Sequence, residues 1–163
     1  HSKSLTRDEI IAQCFLFMMA GFDTSASALS FVTYLLAMYP EVQKKCREEI
    51  RAVMGEDTDW SKLNQLPYLD AVIKETLRIY PLSAFTTGRR CTRDTVIGGI
   101  SIERGTYVQP DVYSIHYDER VWGSDAAEFK PERWLAPSPP SSAFLSFGQG
   151  PRRCIGYKLA MVE

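Results

Sequence analysis

The chain has 163 residues, 45% hydrophobic and 24% charged, a balance that supports one packed core and by itself names no function. A formal charge of -1 with acids and bases interspersed gives no broad basic field, so nucleic acid is not an expected partner. Four cysteines, Cys14, Cys46, Cys91 and Cys154, stand far apart with no Cys-x-x-Cys pair, which argues against zinc and against a disulfide framework and suits a reducing compartment.

Thr6 followed by Glu9 reads as a capping box, and the apolar positions after it continue to Leu36 before Pro40 intervenes, predicting one long helix over 7–38. Its longest apolar run, Ile10 to Phe22, contains Gln13 and stops at Asp23, short of the ~18–20 residues that cross a bilayer, so neither a membrane span nor a signal peptide is expected. Pro40 suits the first turn of a second helix, with Val42, Cys46, Ile50 and Val53 on one stripe and Gly55 ending it. A third helix is predicted over 67–80, stopping before Pro81.

Beyond it the period changes. Thr95 to Val108 is β-rich and broken by Gly98-Gly99 and Arg104-Gly105, predicting short hairpin strands within 95–115. Residues 118–146 show little period and form a meander, in which 136–142, rich in Pro and Ser, reads as an exposed loop. Ile155, Leu159 and Val162 fall at helical spacing, predicting a last helix over 155–163 with no stop signal. Such a helix is expected to be truncated, and the chain a fragment of a larger protein. The fold class is mainly α with small β-hairpins (α+β).

Phe147-Gly148-Gln149-Gly150-Pro151-Arg152-Arg153-Cys154-Ile155-Gly156 is the most informative stretch. Two glycines before the cysteine permit a tight turn, and Gly156 permits close approach of a flat ligand. A helix start favours an anion, and the thiolate is the form of cysteine that binds metal. A lone cysteine is more often a small buried hydrophobe, but here the surrounding spacing, Phe-x-x-Gly-x-Arg-x-Cys-x-Gly, strongly resembles the cytochrome P450 superfamily. That resemblance implies haem b as cofactor and makes Cys154 the axial iron ligand. It also places Arg152 on a haem propionate, packs Phe147 against the ring's proximal face, and sets Gly150 and Gly156 against the cofactor.

Three further segments carry the same resemblance. Ala20-Gly21-Phe22-Asp23-Thr24-Ser25 puts Gly inside a helix, where it costs about 1 kcal/mol relative to Ala. Small residues there often serve close helix packing, but the segment resembles the family's oxygen-activation motif. Ala20 and Gly21 would then border the cofactor, Thr24 would hydrogen-bond bound dioxygen, and Asp23 would help deliver protons. Glu75-Thr76-Leu77-Arg78 resembles Glu-x-x-Arg, and Pro131-Glu132-Arg133-Trp134 resembles Pro-Glu-Arg-Phe with Trp134 as the aromatic. Spacing alone would allow a solvated surface pair, whereas the resemblance implies one buried structural network of Glu75, Arg78 and Arg133. His116-Tyr-Asp118-Glu-Arg-Val-Trp122 is similar to a His-x-Asp-x-x-x-Trp segment, with His116 structural rather than a ligand. Arg89 is similar to a second propionate-binding arginine, with Arg90 adjacent as the alternative, and 82–85 would approach the substrate.

The resemblance covers residues 1–163 as the C-terminal portion of a single P450 domain of the eukaryotic microsomal type, similar to the animal drug- and steroid-oxidising clan. It implies a monooxygenase that inserts one oxygen atom from O2 into a lipophilic small molecule. Electrons would come from NADPH through NADPH-cytochrome P450 reductase, with cytochrome b5 a further partner. The implied location is the cytoplasmic face of the endoplasmic reticulum membrane, through an N-terminal anchor outside this chain. The fragment is expected to be inactive alone. The competing readings are a haem-thiolate isomerase or dehydratase acting on an oxidised lipid without a reductase, and a non-catalytic haem-binding fragment.

Overall fold

The computed structural model describes residues 4–55, 59–85, 88–135, 137 and 139–163. Helix α1 runs Arg7–Met38 and begins in a reciprocal capping box: the Glu9 N–H donates to the Thr6 hydroxyl, and the Thr6 N–H donates to the Glu9 carboxylate at 2.7 Å. It satisfies two of the N–H groups that a helix start leaves without partners. The apolar run that Asp23 interrupts in the sequence does not interrupt the helix. By length and composition α1 could therefore cross a membrane, with mean hydropathy 1.4 over an 18-residue window, unlike the shorter run from which no span was expected. One face of its C-terminal half packs against the domain, where Leu35 is buried and Phe31 stacks on Tyr80 with ring centroids 4.4 Å apart.

Helix α2 (Pro40–Met54) ends at Gly55 with φ 67°, a backbone angle that costs glycine nothing. After a 3-10 turn at Trp60–Gln65, α3 runs Pro67–Ile79 and is the most enclosed helix. Leu35, Cys46, Tyr68, Val72, Ile79 and Phe129 form the larger apolar cluster, joining α1, α2 and α3 to the meander.

The strands form two separate antiparallel pairs. β1 (Arg89–Arg90) pairs with β4 (Tyr107–Val108), Arg89 opposite Val108. β2 (Thr95–Ile97) and β3 (Ile100–Ile102) make a hairpin whose two turn residues, Gly98 and Gly99, both take positive φ, 56° and 81°, as a tight two-residue hairpin turn requires. The span predicted as strands to 115 ends instead in helix α4 (Val112–His116). Asp111 stops the β pattern because its carboxylate accepts from the Ser114 N–H and caps a helix start.

The meander contains helix α5 (Glu119–Trp122) and 3-10 turns at Pro131–Trp134 and Ser141–Ala143. Within the loop predicted over 136–142, Ala136 and Ser138 lie outside the described residues. Trp122, Ala126 and Ala143 make a second cluster, flanked by Trp134 and Phe144. The last helix, α6, covers only Tyr157–Ala160, not 155–163. Ile155 just before it and Leu159 within it are 83% and 64% exposed, so their apolar side chains add no packing to extend a segment too short to be helical by itself. The chain is thus helix-dominated with small antiparallel sheets, the α+β class expected.

Candidate functional site

Glu75 and Arg78 lie one turn apart on α3, and their side chains are wholly buried. Glu75 accepts from Arg78 Nε and Nη2 at 2.9 and 2.8 Å, from Arg133 Nε at 2.7 Å, from the Lys130 N–H at 3.0 Å and from the Trp134 indole N–H at 2.8 Å. Arg78 also donates to the carbonyls of His116 and Ala126, both at 2.7 Å, and of Glu128 at 3.1 Å. Its guanidinium lies 5.1 Å from the Trp122 ring centre. Arg133 continues outward to the carbonyl of Trp122 and to Asp125, whose carboxyl is held down at about 2 by hydrogen bonds from Lys130 and Arg133. With every donor and acceptor engaged, these charges tolerate burial that would otherwise cost several kcal/mol each.

Sequence reasoning foresaw Glu75, Arg78 and Arg133 but not the direct parts of Trp134 and Asp125. His116 was expected to be a structural hydrogen-bonded residue; it is 0% exposed. Burial, with Arg78 adjacent, pushes its pKa down to about 4.

The cysteine loop is anchored where it begins. The Leu145 N–H donates to His116 Nε2 at 2.9 Å, and the Ser146 hydroxyl donates to the Leu77 carbonyl at 2.8 Å. Gly148 and Gly150 then take φ 69° and 70°, which turns the chain so that the Cys154 N–H reaches the Phe147 carbonyl at 2.8 Å. Phe147 packs edge-on against Tyr157, and the Arg153 guanidinium sits 3.6 Å over the Tyr157 ring centre. The Cys154 thiol is exposed. It precedes a four-residue helix whose cap is Gly156, so the helix start expected to favour an anion is only one turn deep.

On α1, Ala20, Gly21, Asp23 and Thr24 are all exposed, with Phe22 at 78%. A side chain built at Gly21 would meet nothing, so packing within the described residues does not select glycine there. The Thr24 hydroxyl donates to the Ala20 carbonyl at 2.6 Å, leaving its oxygen lone pairs outward. One residue on, the Ser25 hydroxyl donates to Glu163 Oε2 at 2.6 Å, which draws the chain beyond Cys154 against α1 at this motif. Arg89 lies in β1 and donates to the Gly88 carbonyl; Arg152 is exposed. Ala84 and Phe85, from the expected substrate-side segment, line a shallow cavity of about 240 Å³ with Gln109, Pro110 and Tyr113. The structure therefore joins Glu75, Arg78 and Arg133 in direct contact, holds Phe147 and Cys154 in one loop, and keeps the α1 residues and Arg89 on separate supports.

A haem fits these residues. Cys154 exposes a single thiol sulfur, a donor suited to a metal that brings its remaining ligands with it. Gly156 stands beside that sulfur: a Cβ there would meet it at 3.8 Å, in ordinary van der Waals contact.

Residues 1–163 match the family described as Cytochrome P450. Among curated proteins, three of Caenorhabditis elegans are similar over nearly the whole chain. One named cytochrome P450 CYP13A2 is 50% identical over 99% of this chain, CYP13A8 is 47% identical over 100%, and CYP13A10 is 48% identical over 99%. Their names assign a family and not a measured activity. The chain spans about a third of the length of these relatives, 32% of each.

Proposed function

This chain belongs to the cytochrome P450 family, and from that premise we propose that it is the haem-binding portion of a haem-thiolate monooxygenase. The reaction inserts one atom of O2 into a lipophilic substrate and releases the other as water, with two electrons from NADPH delivered through a reductase at the endoplasmic reticulum membrane. The observation that carries this reading is the exposed Cys154 sulfur, held by a glycine-turned loop that begins on the buried ion network, with Gly156 beside it.

Bound haem supplies the oxygen chemistry; the chain positions and protonates. Cys154 would hold the iron through its sulfur, and Arg152 and Arg89 would pair with the cofactor's carboxylates. Phe147, Gly150 and Gly156 border the cofactor on the sulfur side. Ala20 and Gly21 leave flat room on the opposite side. Thr24 would offer its hydroxyl oxygen on the oxygen side of the cofactor, and Asp23, exposed on the same turn, would exchange protons with solvent. An Asp-Thr pair that serves proton delivery favours oxygen insertion over isomerisation. Arg152, Arg153 and Lys158 give the cysteine side a positive face for an acidic reductase. Glu75, Arg78 and Arg133 hold the loop and touch no reacting atom.

The test is the absorption spectrum of the full-length protein, reduced and saturated with carbon monoxide. A Soret band at the thiolate position that disappears in Cys154→Ser is expected. An imidazole-type band in the unaltered protein overturns the assignment.

A further inference from the structure

His116 is a buried titratable side chain to which the reading above gives no role. Its Nδ1 lies 2.9 Å from the Arg78 carbonyl, and its Nε2 accepts from the Leu145 N–H at 2.9 Å. A carbonyl can only accept and a peptide N–H can only donate, so the ring is neutral with its proton on Nδ1. Arg78 answers by donating from Nη1 to the His116 carbonyl at 2.7 Å. Residue 116 is thus clasped to α3 through both its backbone and its ring. The ring is held flat on Phe144 at 5.9 Å and edge-on to Trp122 at 6.3 Å, which fixes its orientation as well as its tautomer.

What the ring grips on its other side is the root of the cysteine loop. Leu145 accepts from the Gly148 N–H at 2.9 Å, and Phe147 accepts from the Cys154 N–H at 2.8 Å. The hydrogen bonds therefore run from Glu75 and Arg78 through the imidazole to Leu145, and the short turn carries them to Cys154. The Leu145 N–H donates to the lone pair of His116 Nε2, and the neighbouring Ser146 hydroxyl adds a second tie to α3 at the Leu77 carbonyl.

We propose that His116 is a positioning residue for the Cys154 sulfur, fixing the height of the Leu145–Cys154 loop above α3 through its Nε2 lone pair. This rests on the assignment of Cys154 as the haem ligand. A purely structural histidine would stabilise the fold without affecting what the sulfur does. A positioning histidine alters the sulfur's ligation even where the fold survives.

Two variants of the full-length, haem-loaded protein separate these roles. His116→Gln carries an amide oxygen out to the place of Nε2 and keeps an acceptor for the Leu145 N–H. His116→Asn keeps a donor near the Arg78 carbonyl but is too short to reach Leu145. Thermal unfolding is measured beside the reduced, carbon-monoxide-bound spectrum. The expected result is that the unaltered protein and His116→Gln show the thiolate band. His116→Asn should lose most of it to the neutral-thiol position while unfolding near the same temperature as His116→Gln. A full thiolate band in His116→Asn overturns the inference. Equal loss of fold in both variants also overturns it, making the ring a packing element. Absence of the thiolate band from the unaltered protein removes the assignment of Cys154 itself, and this inference with it.

Discussion

The guanidinium of Arg78 has all its N–H groups engaged: Nε and Nη2 on Glu75, Nη1 on two carbonyls, and Nη2 on a third. Lysine keeps the charge but offers a compact ammonium with three donors and no planar fork. Arg78→Lys should therefore leave the Glu75 carboxylate and some of those carbonyls short of partners in a site without water. The expected loss is about 3–5 kcal/mol, the range for breaking a buried pair, read as a lower urea midpoint. An unchanged midpoint would show that the network does not carry stability. Sequence spacing showed that Glu75 and Arg78 share a helix face. It could not show that the face is buried, because the partners come from 38 to 59 residues away, and several are backbone carbonyls with no residue signature. Trp134 illustrates the same limit. Read as an aromatic standing in for Phe, it supplies an indole N–H to Glu75 that a phenyl ring does not have.

At the scale of elements, α3 begins at Pro67, which has no N–H to satisfy, and the next two N–H groups, of Tyr68 and Leu69, donate to Glu49 on α2 at 2.8 and 2.9 Å. A carboxylate there meets both the open donors and the positive end of the helix dipole. Glu49→Ala should destabilise by about 0.5–2 kcal/mol, the usual cost of a lost N-cap. The loss should appear as faster amide exchange at Tyr68 and Leu69; unaltered exchange at both would show that the cap is dispensable. This contact was invisible in the sequence because the capping residue sits on a different helix. Local chemistry was legible: the Thr6–Glu9 box, the prolines at 40 and 67, Gly55 and the Gly98-Gly99 turn all mark real boundaries. The reading strayed where it missed the local Asp111 cap and placed strand over α4, and where it extended α6 beyond four residues without packing to support it. Among the cysteines, Cys46, read on the apolar stripe of the second helix, is the buried one, its thiol pushed up to about 11 by burial, while Cys154 is exposed.

Across the whole molecule, fold class followed from the shift of period after Pro81, whereas the arrangement of the site did not. Nothing in the sequence couples Ser25 to Glu163, 138 positions apart, yet their 2.6 Å hydrogen bond brings the chain beyond the cysteine against the long helix. The ion network has a consequence of this kind for how the protein comes apart. Arg78 ties α3 to backbone 38, 48 and 50 residues downstream, so the meander cannot peel away without stranding a cation in an apolar interior. Partial opening is thereby penalised, and α3 and residues 116–135 should open as one foldon. Native-state hydrogen exchange should then give their slowest amides a common opening free energy and a common denaturant slope. Separate slopes would mean that one side chain is not enough to join them.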